Sequence, residues 1–481
     1  MSKKYINRSG WAVNEFKGVD FGDKRLNNRL IKLTDSFAKS PEKSINQACE
    51  EWSQSKAAYR FFQNDAILET KILNSHIAKT IERTEGCDTI LAIQDTSYIS
   101  YKSHKKTQGL GIISARVRSK TTNFQAYGLI MHTTFAVRTD GLPIGLLEQK
   151  ISSRPPIAEE IKELKKRNHG SAIPIEEKES IRWIESFVNC NNQVKLKEVK
   201  VVTVCDREAD MYELYELGVN SNSLFLVRAG QNRRVNKQST YSKKTGERLW
   251  DLMNNLSCEG EIEINIPARD GKPKRTAILE VRFGDFIMNA PANKVKYKTA
   301  KLTNLRLTAI YVTEKNTVIG EDAISWMLIT NIDINNFEEA VEKVKWYCLR
   351  WRIEIFHKIL KSGLKVEECR LGTAKRLIRY LTVMSIIAWR IFFITLIART
   401  DPNLSCTELL AEEEWKVLYT KINRTKIYPN IAPTIREVVR WIAQLGGFLA
   451  RKNDGEPGPI TLWRGWRRLF DLTEGWSLAT T

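Results

Sequence analysis

Apolar residues along the first seventy positions recur with helical spacing. Between Asp23 and Phe37, Leu26, Leu30, Leu33 and Phe37 fall on one side of a helix, with Lys24, Arg25, Arg29 and Lys32 interleaved. A second basic and aromatic cluster follows at Lys56, Tyr59, Arg60, Phe61 and Phe62. This pattern fits a solvated amphipathic helix pair or a small helical DNA-binding module, and the basic net charge favours the module. From Thr89 the texture changes. Thr89 to Ile93 is a short apolar run that predicts a buried strand ending in Gln94-Asp95. Gly128 to Val137 predicts a second strand, Asp140-Gly141 a hairpin turn, and Ile144 to Leu147 the returning strand.

Pro155 and Pro156 sit among basic residues and mark a linker. Glu176 to Cys190 predicts a helix with Ile181, Ile184, Phe187 and Val188 inward. Val199 to Val204 predicts another buried strand, ending in Cys205-Asp206, followed by a helix from Glu208 to Leu217 and a strand from Leu224 to Val227. Hairpin strands followed by strands alternating with helices predict a mixed α/β sheet. Residues from about 230 to 335 alternate and are basic, the texture of an inserted β subdomain. Phe337 to Ser362 predicts one long helix, and the chain is helical from there to Thr481, with breaks at Gly446-Gly447 and Gly455 to Gly458. Tyr380 to Ala398 is nearly all apolar, but Arg390 sits in its middle and Arg376, Arg379 and Arg399 flank it. A central Arg costs about 2.5–3.5 kcal/mol in a bilayer, so a buried helix of a soluble protein is the better reading and no membrane association is expected.

Charge narrows the class. The 481 residues hold 76 Lys and Arg against 56 Asp and Glu, a formal charge of +20 with a pI near 9.5. A polyanionic partner follows, and with lipid disfavoured that partner is nucleic acid. Eight cysteines have no zinc-knuckle or redox-pair spacing, and five histidines do not cluster, which argues against a His-built metal site. Scattered single thiols and an N-terminus without an apolar signal core predict a cytoplasmic protein.

Asp95 and Asp206 each follow a short buried strand. If those strands are parallel neighbours, both carboxylates emerge at one sheet edge. Two acids there repel unless a cation lies between them, and hard oxygen ligands suit Mg²⁺. The bland alternative is that each Asp caps a following turn, and spacing alone does not choose. On the helix from Phe337, Tyr347, Arg350, Glu354, His357 and Lys361 share one stripe at about 100° per residue. Leu349, Ile353, Phe356 and Leu360 make the opposite, apolar stripe. A solvated face and a set of DNA contacts around one acid both fit that arrangement.

At these residues the chain resembles the bacterial cut-and-paste transposases of the insertion-sequence four family, closest to the transposon-five transposase. Tyr347-x2-Arg350-x3-Glu354-x6-Lys361 matches the family's Y-R-E-K signature without a gap, Cys205-Asp-Arg-Glu-Ala-Asp210 its second acidic motif, and Gln94-Asp95-Thr96-Ser97 its first. Gly22-Asp23 with Arg25 and Arg29 is similar to its N-terminal DNA-binding helix, and Leu445 to Phe448 with Leu462-Trp463 and Gly465-Trp466 is similar to its C-terminal domain.

The resemblance implies an α/β, ribonuclease-H-like mixed-sheet core with an inserted β subdomain, between helical N- and C-terminal domains. It implies three regions: a DNA-binding domain over 1–70, a catalytic domain over 71–372 with the β insertion at about 230–335, and a dimerisation domain over 373–481. Asp95, Asp206 and Glu354 would be the catalytic and metal-binding DDE triad, holding two Mg²⁺ ions, with Mn²⁺ able to substitute. The implied partners are double-stranded DNA, both transposon ends and target, and a second copy in a homodimer formed around paired ends. Tyr347, Arg350 and Lys361 would hold the DNA backbone beside a flipped base stacked on Trp326. Without the resemblance, Trp326 reads as a core residue on the strand Ile324 to Ile329. Arg228, His357 and Lys358 match phosphate contacts, and Arg25, Arg29 and Arg60 would line the end-binding surface. Arg207 and Glu208 carry no assigned chemistry. Leu26 departs from the family, standing where it has a basic residue, and the segment before His132 diverges. Two rivals keep the fold: a DNA-binding inhibitor or relic that no longer cuts, and a structure-specific nuclease without strand transfer. The intact acids argue against the first, and Trp326 and the C-terminal domain against the second.

Overall fold

The computed structural model describes residues 10–101, 106–119, 122–155, 161, 163, 173–194, 199–236, 247–266, 274–291, 302–316, 323–451 and 454–480. The chain opens with five helices: α1 (Trp11–Glu15), α2 (Lys24–Lys39), α3 (Ile45–Ala48), α4 (Trp52–Gln63) and α5 (Glu69–Glu82). Strands β1 (Thr89–Ser100), β2 (Gly111–Ser119), β3 (Thr122–Arg138) and β4 (Pro143–Ser152) follow. Next come α6 (Ile181–Val194), β5 (Lys200–Cys205), α7 (Tyr212–Asn220), β6 (Leu224–Arg228), β7 (Arg234–Val235), β8 (Glu247–Arg248) and α8 (Leu249–Asn254). Strands β9 (Gly260–Ile266), β10 (Arg275–Met288), β11 (Leu305–Glu314) and β12 (Ser325–Thr330) complete a mixed α/β fold. The rest is helical: α9 (Phe337–Cys348), α10 (Trp351–Lys358), α11 (Ala374–Thr400), α12 (Glu412–Asn423), α13 (Ile435–Leu445) and α14 (Pro459–Thr480).

These elements sort into two compact units. One comprises residues 1–87, 96–156 and 352–481, the other residues 88–95 and 157–351.

In the first unit α11 is the central post. Thr373 caps it by accepting from the Arg376 N–H at 3.3 Å, and the helix packs against α2, α4, α5 and β4. It is long and apolar enough to cross a membrane, yet 94% of its most apolar window is buried inside the chain. Phe37, Phe62 and Tyr380 meet at centroid distances of 5.8–6.2 Å, and the Arg390 guanidinium lies 4.5 Å over the Trp11 ring. The expected hairpin is present: Val137 pairs with Pro143, the Asp140 carboxylate accepts from the Leu142 N–H, and Gly141 takes φ +93°. Helices α13 and α14 cross closely at two glycines. A Cβ on Gly465 would meet the Ile442 carbonyl at 1.6 Å, and one on Gly446 the Thr461 carbonyl at 1.9 Å. Ile442 and Leu445 are therefore internal core, whereas Leu449 is exposed.

In the second unit β1 pairs parallel with β5, and β5 parallel with β6. β12 joins β6 antiparallel, and β11, β10, β7 and β8 follow in order, with β9 also on β10. Trp183 and Phe187 of α6 and Leu214 and Tyr215 of α7 belong to the core with Cys205, Phe225, Val227, Met327 and Ile329.

The strands of the expected β insertion are present and extend the β5–β6 sheet, since β12 pairs Leu328 with Arg228; residues 237–246, 267–273, 292–301 and 317–322 of that stretch lie outside the described residues. Several other expectations are corrected. The helix expected from Glu176 begins at Ile181, after a 3₁₀ turn at Ile175–Glu177 introduced by Pro174. That expected from Glu208 begins at Tyr212, after the 3₁₀ turn Arg207–Ala209. The single helix over Phe337 to Ser362 is α9, α10 and a π turn at Ile359–Gly363, closed by the Leu364 N–H on the Ile359 carbonyl at 2.8 Å. Asp95 lies within β1, which runs on to Ser100, and not at its end.

Candidate active site and DNA-binding domain

Parallel pairing places the first two acids together. Ile93 of β1 is the register partner of Val204 of β5, and Asp95 and Asp206 each stand two residues further on. Asp206 keeps an extended backbone (φ −86°, ψ −176°). Side chains two apart share a face and adjacent strands lie about 4.8 Å apart, so both carboxylates arise at neighbouring positions on one face. Gln94 alternates to the other face. There its amide, in the orientation that satisfies both ends, donates to the Trp183 carbonyl and accepts from the Phe187 N–H, each at 3.2 Å. The strand is thus fixed to α6 at the residue before Asp95.

Asp206 does cap the turn after β5, since Oδ1 accepts from the Arg207 N–H at 2.7 Å. Around that cap a cationic and aromatic cluster gathers. The Tyr347 hydroxyl donates to Oδ1 at 3.4 Å, and the Arg350 guanidinium stands 3.8 Å from Oδ2. Burial, together with the Asp206 charge and against Arg350 and Arg228, pushes the Tyr347 phenol up to about 12. Trp326, half-buried on β12, meets the Tyr347 ring edge-on at 5.4 Å. Arg228 at the end of β6 donates to the Ser325 carbonyl at 3.2 Å, and its charge opposes the rise of the Tyr347 phenol. Desolvation and then the Asp95 charge raise the Glu208 carboxyl, with Asp206 adding and Arg182 opposing. Burial and the same two aspartates push the Cys205 thiol up.

This is a concentration of hard oxygen donors and negative charge, and it fits a divalent cation. Among the described residues, no group of three or more His, Cys, Asp or Glu side chains is arranged to hold a metal ion. Two acids with a phenol and a guanidinium on one of them are what the second unit brings together.

Glu354, His357, Lys358 and Lys361 belong to the first unit. The expected stripe is not a uniformly solvated face. Tyr347, Arg350 and His357 are buried and Glu354 and Lys361 half-buried, while Lys358, beside the stripe, is exposed. The apolar stripe is as expected at Ile353, Phe356 and Leu360, and Phe356 stacks on Phe135 at 4.9 Å. The π turn re-aims the residues beyond Lys358. The Lys361 ammonium donates to the Tyr98 carbonyl at 2.9 Å and stands 3.9 Å from Glu367, which accepts from the Ser100 N–H at 2.7 Å.

At the N-terminus, Asp23 caps α2 and pairs with Arg25 at 2.9 Å. Leu30, Leu33 and Phe37 are buried, as their spacing requires. Arg29 is half-buried and donates to Gln54 of α4 at 2.6 Å, while Arg25 and Arg60 are exposed. Sequence reasoning passed over Trp52. This residue is 75% exposed, with the Lys56 ammonium 4.6 Å from its ring centroid. The signal was the spacing of Trp52, Lys56, Tyr59 and Arg60 along one helix face. It also passed over the role of Asp210, whose buried carboxylate accepts from the Tyr215 hydroxyl at 2.6 Å.

Comparison with known families gives two matches. Residues 8–67 match the family described as Transposase DNA-binding, and residues 386–481 match the Transposase Tn5 dimerisation domain. The first spans α1 to α4 and the second runs from within α11 through α14.

Proposed function

We propose, for a chain that belongs to the Tn5-like transposases, a cut-and-paste phosphoryl-transfer function carried by Asp95, Asp206 and Glu354. The observation that carries this reading is that Asp95 of β1 and Asp206, just beyond β5, each stand two residues past the Ile93–Val204 register pair of adjacent parallel strands, with Tyr347 and Arg350 on Asp206. The N-terminal match supports binding to DNA, and the C-terminal match supports a homodimer. The finer reading is that each subunit binds a transposon end and cleavage waits for the two ends to pair.

The chemistry is a series of in-line displacements at phosphorus. Water attacks the phosphodiester at the transposon end; a P–O bond forms, the P–O3′ bond breaks, and a free 3′-hydroxyl results. That hydroxyl attacks the phosphodiester of the opposite strand, forming the hairpin's P–O bond and displacing the 3′-oxygen of the flanking DNA; water then attacks the hairpin phosphorus and releases the 3′-hydroxyl again. The same 3′-hydroxyl then attacks target DNA and displaces a 3′-oxygen there. In this reading Tyr347, Arg350, Lys361, Arg228, His357 and Lys358 hold the backbone, because guanidinium, ammonium and phenol donors match phosphate oxygens. Trp326 offers a ring on which an unpaired base stacks, offsetting a few kcal/mol of unpairing. Asp95, Asp206 and Glu354 would hold Mg²⁺, or Mn²⁺ in its place. Two such ions, when bound, activate the attacking oxygen and stabilise the leaving one.

The test is cleavage of DNA carrying the element's own ends. Wild type should nick and then form hairpins, and Asp206→Ala should bind those ends but leave them uncut. Cleavage by Asp206→Ala at the wild-type rate would end the assignment.

A further inference from the structure

We infer that Asp210, the last acid of the Cys205 to Asp210 motif, is a positioning residue. It clamps the loop leaving β6 against the turn leaving β5, and so holds Arg228 beside Asp206. The inference rests on the reading of Asp206 and Arg228 given above.

The two acids of the motif have opposite surroundings. Asp206 is half-exposed, whereas the Asp210 carboxylate is buried and surrounded by donors. One oxygen accepts from the Tyr215 hydroxyl at 2.6 Å and from the Arg233 guanidinium. The other accepts from the Gly230 N–H at 2.8 Å and the Gln231 N–H at 3.0 Å. Arg233 also donates to the Asp210 carbonyl at 2.7 Å. A buried carboxylate with a paired cation and three further donors is fully compensated, and therefore rigid.

Each arm of the clamp leads to the candidate site. On one side the Ala209 N–H binds the Asp206 carbonyl at 3.0 Å and the Asp210 N–H the Arg207 carbonyl at 3.2 Å, so the five residues from Asp206 to Asp210 form one tight turn. On the other side Gly230 lies two residues after Arg228, and the intervening Ala229 N–H binds the Met327 carbonyl at 2.7 Å. The arms touch: a Cβ on Gly230 would stand 3.2 Å from the Arg207 Cβ. Cys205 and Val227 are register partners, so Arg228 and Asp206 follow at neighbouring positions, and the Tyr347 hydroxyl reaches Asp206. Release of the Gly230–Gln231 loop would move Arg228 while leaving the β5 and β6 strands paired. Asp210 itself faces inward and acts only through these neighbours.

The experiment uses full-length protein and DNA carrying the element's ends, comparing wild type, Asp210→Asn, Arg228→Ala and the double variant. Asn keeps the size of Asp but removes the charge that holds Arg233. Single-turnover cleavage by Asp210→Asn should fall on the order of 10²-fold, the scale of a misplacement by about 1 Å, with end affinity near wild type. Cleavage is read well below the melting temperature, which should itself fall because the Arg233 guanidinium loses its buried carboxylate. The double variant should cleave no more slowly than the slower single variant, because both changes remove the same placed guanidinium. Multiplicative losses, or wild-type cleavage by Asp210→Asn, would overturn the inference. If Asp210→Asn does not fold, Arg233→Lys keeps the charge and loses the fork, and the same non-additivity with Arg228→Ala is required of it. Wild type that fails to cleave, or Asp206→Ala that cleaves normally, removes the underlying reading instead.

Discussion

Two clusters of buried and half-buried charge, one in each unit, are built on opposite terms. In the first unit Glu15 of α1 is 3% exposed and closed in by partners. His76 Nδ1 lies 2.5 Å from one oxygen, the Arg83 guanidinium binds the other, and Arg83 stacks 4.2 Å from the Trp389 ring centroid. His76 Nε2 accepts from the Leu146 N–H at 2.9 Å, which leaves the ring proton on Nδ1 for Glu15. In the second unit Asp95 and Asp206 stand side by side, with Glu208 nearby and its carboxyl raised by desolvation and then by their charge. The first arrangement neutralises its acid completely and ties α1, α5, β4 and α11 together. The second accumulates like charge on a half-buried face, which costs stability. On the proposed reading, charge spent in these two ways separates the acid that holds the protein together from the acids proposed for its chemistry.

The contrast breaks most sharply by substitution. Asp206→Ala should lower end cleavage at least about 10³-fold, as removal of a group central to catalysis does. Its melting temperature should hold or rise, because a like-charge contact is relieved. A large fall in melting temperature would mean that Asp206 is a structural acid of the same kind as Glu15. Glu15→Ala is the mirror case. Leaving Arg83 buried without its carboxylate should cost about 3–5 kcal/mol, read as a fall in denaturation midpoint. Chemistry should survive wherever the variant folds. Unchanged stability would refute the structural reading of the cluster.

Acid should separate the clusters next. Burial would raise the Glu15 carboxyl, but Arg83 and His76 beside it lower it from 4.5 to about 2. Its stabilisation is therefore full above 4.5 and lost as pH falls toward 2. Burial also depresses His76 below its ordinary 6.5, so the folded state resists the proton that the unfolded chain takes up. Stability falls from pH 6.5 downward for this reason as well. Glu208 has the opposite sign, since a raised carboxyl loses an unfavourable charge as pH drops through its folded value. Amide exchange across α1, α5 and α11 should accelerate on acidification before exchange in β5 and β6 does. Equal acceleration in both regions would erase the distinction.

Much of this was legible beforehand, and for physical reasons. The apolar runs at Thr89 to Ile93 and Val199 to Val204 gave the buried strands, and the DG turn gave its hairpin. The charge interrupting Tyr380 to Ala398 identified a helix that is buried in the protein. The acids after those runs pointed to one sheet face, and the register of β1 with β5 supports that placement. What was not legible depends on contacts distant in sequence. Periodicity cannot see that β12 pairs with β6, so nothing in the 230–335 stretch showed that the strands of the insertion extend the β5–β6 sheet. Nor can it see the break after Cys348, where Arg350 turns inward to Asp206, or the π turn that re-aims Lys361. Asp210 read as one more polar residue of a motif, because its four donors come from Tyr215, Gly230, Gln231 and Arg233. Glu15 gave no signal at all, since its partners lie about sixty residues downstream in sequence.

The smallest expected effect tests whether a third use of charge exists, at the DNA-binding domain. Arg60 is exposed at the end of α4, on the face that carries Trp52, Lys56 and Tyr59. If it neutralises one phosphate, Arg60→Ala should flatten the dependence of log affinity on log salt by about 0.9. Stability should change by no more than about 0.5 kcal/mol, as for a surface residue. Arg29→Ala offers the internal comparison. Arg29 also bridges α2 to Gln54 of α4, so its loss should flatten the slope and cost about 0.5–1.5 kcal/mol of stability for the hydrogen bond. A titration of end DNA at several salt concentrations, beside thermal melts of both variants, separates the two contributions. An unchanged slope for Arg60→Ala would return that helix face to ordinary solvated charge. A slope that falls for Arg29 alone would move the phosphate contacts from α4 to α2.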